Sequence, residues 1–127
     1  MAIPSRIMAA GTPALAAQQI AGNGAVGIVA LGSTQAGATQ LTDVFNTITT
    51  SSASTGLLLP ACEKGALIFI YNLSGQTQQI YTQEATGVTI NAAIAGATGV
   101  ALGNTKTAIC FAPSRNTWVV AAALSST

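Results

Sequence analysis

Short apolar runs, each closed by turn residues, organise the chain beyond residue 24. Ala25–Leu31 (AVGIVAL) lies between Gly24 and Gly32, and Asn46–Thr50 alternates around Ile48 with β-prone threonines. Leu57–Leu59 runs into Pro60, which suits a strand end. Ala66–Tyr71 (ALIFIY) is the most hydrophobic strand candidate, and Gln78–Thr82 alternates around Ile80. Val88–Ile90, Val100–Leu102, Thr107–Phe111 and Thr117–Ala123 complete the series. Between them stand turn clusters at Ser51–Gly56, Glu63–Gly65, Asn72–Gly75, Gly103-Asn104 and Pro113–Asn116. Short strands at regular spacing predict an all-β domain over residues 25–127, a β-sandwich or barrel and not a βαβ fold. A jelly roll, which packs eight strands in two sheets, is the specific expectation.

The first 24 residues lack this alternation. They are rich in Ala and contain Pro4, Gly11 and Pro13. Thr12 as N-cap and Pro13 at the first helical position would start two helical turns ending before Gly22. An extended arm laid against a neighbour fits equally well, since so short a helix is marginal alone. Ala14-Leu15-Ala16 has the form of a signal-peptidase site, but Gly11, Thr12 and Pro13 interrupt the apolar stretch that should precede it, so no signal peptide is expected.

Composition sharpens this picture through charge. Only 6% of the 127 residues are charged, against about 25% in an ordinary soluble domain, while 50% are hydrophobic. That combination is the reverse of a disordered composition. Thr, Ser, Gln, Asn and Ala must therefore cover the surface, and a nearly neutral surface gives little repulsion between molecules. The expectation is a subunit whose faces are covered by copies of itself or by a partner. Arg6, Leu15 and Ile20 of the arm, with Trp118 of the last run, are the residues expected at such an interface. A net charge of +1 with no basic run argues against nucleic acid as a partner. No stretch approaches the roughly 18 consecutive apolar residues of a membrane helix, so no membrane partner is expected either.

Candidate chemistry is thin. Gly22-Asn23-Gly24-Ala25-Val26-Gly27 matches G-x-G-x-x-G, and Asp43 follows at about the distance of a ribose-binding acid. A dinucleotide site needs a helix after the last glycine, whereas IVALG continues as strand, so a glycine-rich turn opening a strand is the expected reading. The chain has no His, and Asp43, Glu63 and Glu84 are far apart in sequence. Cys62 and Cys110 have neither CxxC spacing nor His partners and are expected as two reduced thiols. Asn72-Leu73-Ser74 is a formal glycosylation sequon. Trp118, Tyr71 and Tyr81 are expected to pack in the core or at an interface in preference to holding a ligand. No enzyme, no cofactor and no metal are expected.

Specific residues carry a resemblance. Gly32-Ser33-Thr34-Gln35-Ala36-Gly37-Ala38-Thr39-Gln40-Leu41, then Asn46, Ile48-Thr49-Thr50 and Gly56-Leu57-Leu58-Leu59-Pro60-Ala61, followed by Gly65, Asn72, Gly75, Ile80-Tyr81, Gly87, Ile90-Asn91, Leu102-Gly103 and Trp118, resemble small virion proteins of tailed bacteriophages and prophages. The resemblance covers about residues 32–120 and implies a capsid decoration, or cement, protein. Proteins of that kind are β-sandwiches or jelly rolls that bind the outside of the capsid as dimers or trimers and clamp neighbouring capsomers. The implied partners are a major capsid protein and the chain itself, as homodimer or homotrimer. The implied place is the capsid exterior, after synthesis in the host cytoplasm. A tail fibre or tail-tube component shares the same Thr, Gly and Ala bias and is the nearest alternative. A glycan-binding adhesion module is a more distant one.

Overall fold

The computed structural model describes residues 24–122. The expected arm or helix, with Arg6, Leu15 and Ile20, lies outside the described residues.

Within them the chain is nearly all β, in two mixed sheets. Eleven strands follow in order: β1 (Gly24–Ala30), β2 (Thr39–Gln40), β3 (Phe45–Ser51), β4 (Gly56–Leu58), β5 (Leu67–Asn72), β6 (Gln78–Tyr81), β7 (Thr89–Ile90), β8 (Ile94–Ala95), β9 (Val100–Leu102), β10 (Thr107–Ser114) and β11 (Thr117–Ala122). A short 3-10 turn at Gln35–Gly37 precedes β2. The large sheet has the order β1-β3-β5-β10-β11-β7-β8, and the small sheet has the order β2-β4-β6-β9.

The chain alternates between sheets for its first six strands. β1, β3 and β5 stack in parallel in the large sheet, and β2, β4 and β6 stack in parallel in the small one. The first half is thus a two-sided coil, each turn laying one strand on each sheet. The second half pairs mainly antiparallel: β9 on β6, β10 on β5, β11 on β10 and β8 on β7. These parallel ladders depart from the antiparallel pairing of a jelly roll. Parallel strands need crossovers, and here the crossing is made through the opposite sheet rather than through helices.

One core joins the two sheets. Ile48, Ile68, Ile70, Ala108, Cys110 and Trp118 of the large sheet and Leu57, Ile80 and Leu102 of the small sheet belong to a single buried cluster. Buried polar groups are matched inside it. Asn72 Nδ2 donates to the carbonyls of Gln76 (2.7 Å) and Leu102 (3.0 Å), and its Oδ1 accepts from the amide and hydroxyl of Ser74. The sequon asparagine is therefore committed to holding a turn and is wholly buried.

Candidate functional site

Strand alternation sets two faces on the large sheet, and the outward one is unusual. In β10 the inward residues are Ala108, Cys110 and Ala112, while Ile109 and Phe111 point outward. In β5 the outward positions are Leu67, Phe69 and Tyr71, and in β3 Phe45 joins them. Water outside this sheet would favour the opposite sorting, with polar side chains outward. The exposed large side chains include Phe45, Leu67, Ile109 and Phe111 at 38–41% and Val26 at 81%.

The ladders arrange these residues in rows across the strands. One row runs Phe45, Phe69, Ile109, Ala121 through β3, β5, β10 and β11. A second runs Val26, Thr47, Tyr71, Thr107 from β1 to β10. A third runs Leu67, Phe111, Val119. The Phe45 and Phe69 rings stack with centroids 5.0 Å apart and planes 13° from parallel. A shallow groove of about 280 Å3 opens beside them, lined by Phe45, Thr47, Phe69, Tyr71 and Thr107 among others. None of the row positions is charged.

Charge collects elsewhere. Of the six charged residues among those described, Glu63, Lys64 and Arg115 line a cleft of about 550 Å3 with Ala61 and Cys62. A fourth, Glu84, adjoins it: Glu84 Oε1 accepts the Cys62 amide at 2.8 Å. Gln35 Nε2 donates to the carbonyls of Thr82 (2.7 Å) and Glu84 (2.8 Å), which fixes this loop to the 3-10 turn. The Cys62 thiol donates to the Ser114 carbonyl at 3.3 Å. Burial, and then the Glu84 carboxylate, push its pKa up, so the thiol stays protonated at neutral pH and is a poor nucleophile. Cys110 is buried and pushed up to about 12. Both cysteines are free.

The singled-out residues that fall among those described each have a definite place. Trp118, expected at a subunit interface, is 0% exposed and sits in the core beside Ile90. It has no surface left for a partner, so its role is packing. Gly24 and Gly27 lie within β1, and the chain continues as strand to Ala30, so no helix follows the glycine motif. Tyr81 is buried, whereas Tyr71 belongs to the outward face. The outward face itself was missed, although two signals pointed to it. ALIFIY is apolar at every position, as in strands covered on both sides. In Thr107–Phe111 the small residues and the large ones alternate, and only packing decides which set turns inward.

A two-sheet β body with an uncharged, partly aromatic outer face is what this geometry defines. Comparisons with protein-family models, with curated proteins and with solved structures find no match.

Proposed function

We propose that this chain is a structural virion subunit of the capsid-decoration kind, which binds the outside of an assembled phage shell and stabilises it by packing alone. The observation that carries the proposal is the sorting in β10 and β5, where Ile109, Phe111, Leu67 and Phe69 turn away from the core. Such a face lowers its free energy by being covered. A protein that adds buried interface to an assembled shell stabilises the shell by mass action, without chemistry. The scarcity of charge fits this role, because close packing then requires few ions to lose their water.

The resemblance to phage virion proteins gives the role its particular form. Several residues that carry it hold loops in this fold. Gln35 pins the 82–84 loop, Asn72 holds the turn after β5, and Asn91 bonds the backbone of Val120 through both side-chain ends. The proposal needs the two-sheet body and its outer face; it does not need a jelly-roll topology. The partners are a major capsid protein and further copies of the chain, on the capsid exterior.

The test is co-sedimentation of the purified protein with assembled shells of the phage that encodes it, stripped of this subunit. Saturation at a copy number set by capsid symmetry, with a rise in the shell's melting temperature, is the expected outcome. Shells that neither bind the protein nor gain stability from it overturn the proposal.

A further inference from the structure

We infer that the outward face of the large sheet is the contact between two copies of this chain, related by a two-fold axis. This rests on the structural role proposed above and assigns the surface through which copies meet.

Two observations select a second copy as the occupant. A two-fold contact sets residues near the axis against their own images, so any charge there would face a like charge. The rows on this face contain none, while Glu63, Lys64 and Arg115 are gathered around the Cys62 cleft. A different partner could have matched a charged face with opposite charges; a self-contact near its axis cannot.

Size gives the second. Five strands at about 4.8 Å and about five residues at 3.3 Å make a face of about 24 Å by 17 Å, about 400 Å2 in projection. The corrugated accessible area is larger, which brings two such faces near the roughly 1,000 Å2 that a specific interface needs.

Sedimentation equilibrium of the full chain, with the exposed residue Ile109 changed to Glu, tests this. The wild type is expected at the mass of two copies, and Ile109→Glu is expected to weaken association at least about a hundredfold, since each contact then buries two like charges. Hydroxyl-radical footprinting of the wild type needs no variant. Phe45 and Phe111 are expected to be protected at concentrations that hold the pair together and oxidised on dilution. A pair that persists in Ile109→Glu with Phe45 and Phe111 still reactive overturns the inference and leaves the proposed function standing with another self-contact. So does a three-copy mass. A single-copy wild type whose shell binding is lost in Ile109→Glu assigns the face to the shell and also overturns the inference alone. A wild type that neither self-associates nor binds shells removes the proposed function itself.

Discussion

At the scale of single residues, the core is sorted by size as much as by polarity, and Cys110 shows the consequence. It stands at an inward position of β10 between Ala108 and Ala112, aligned with Ile68 and Val120 on the neighbouring strands. Wholly buried, its thiol is pushed from 9.0 up to about 12, because burial penalises the charged form. The folded protein therefore holds this proton more tightly than the unfolded chain does. Stability from the buried neutral thiol is fully present below about pH 9 and is lost as pH rises toward 12, by about 1.4 kcal/mol per pH unit. Comparison with Cys110→Ala isolates the effect, because Cys62 and the other titrating groups are common to both proteins. Urea unfolding at pH 7 to 8.5 is expected to show a constant gap in favour of the wild type. Between pH 9 and 11 the gap is expected to narrow by about 1.4 kcal/mol per unit. A gap that stays constant to pH 11 would show that the thiol is not held in a dry site.

At the scale of elements, the strands were legible and their partners were not. Alternation, β-prone residues and turn clusters mark β1, β3 to β7 and β9 to β11 to within a few residues, because those signals are local. β2 and β8 are only two residues long and carry no pattern. β10 runs on through Pro113, expected in a turn; the ladder with β11 shifts register between Phe111 and Ser114, so the missing amide proton is not needed. Parallel stacking of β1, β3 and β5 is set by contacts between residues 20 to 24 positions apart, which no short window of sequence contains. Tight approach between elements is equally invisible. Tyr81 of β6 has one ring edge against Gly56 and the other against Gly99. A Cβ on Gly56 would lie 2.6 Å from the ring, and one on Gly99 would lie 2.7 Å from the ring and 2.8 Å from the Ile80 carbonyl. Gly99 also has φ +73°, while Gly75 has φ +84° with open space around it. Gly75→Ala is therefore expected to cost only the left-handed backbone strain, about 1 kcal/mol. Gly99→Ala is expected to cost at least about 3 kcal/mol, since overpacking against backbone adds to the same strain. Equal losses for the two variants in chemical denaturation would contradict the slot described for Tyr81.

At the scale of the whole molecule, the shortage of charge and the outward apolar rows are two views of one property, and together they fix how association should respond to solvent. The sequence made the shortage plain, and with it the expectation of covered faces. It did not show which face, because Phe45, Leu67, Phe69, Ile109 and Phe111 become neighbours only when β3, β5 and β10 align. An interface made of these residues derives its stability from removing apolar surface from water. Salt screening has nothing to act on there, since the Debye length matters only where charges face each other. The dissociation constant for self-association is accordingly expected to change less than about threefold between 50 and 500 mM sodium chloride. Sodium sulfate at matched ionic strength should tighten it, because sulfate is excluded from apolar surface, and cooling from 25 to 5 °C should loosen it. Titration calorimetry by dilution should show a negative heat-capacity change on association. Strong weakening by sodium chloride would instead mean that the charged end around Lys64 and Arg115 makes the contact, and the apolar face would lose its claim to it.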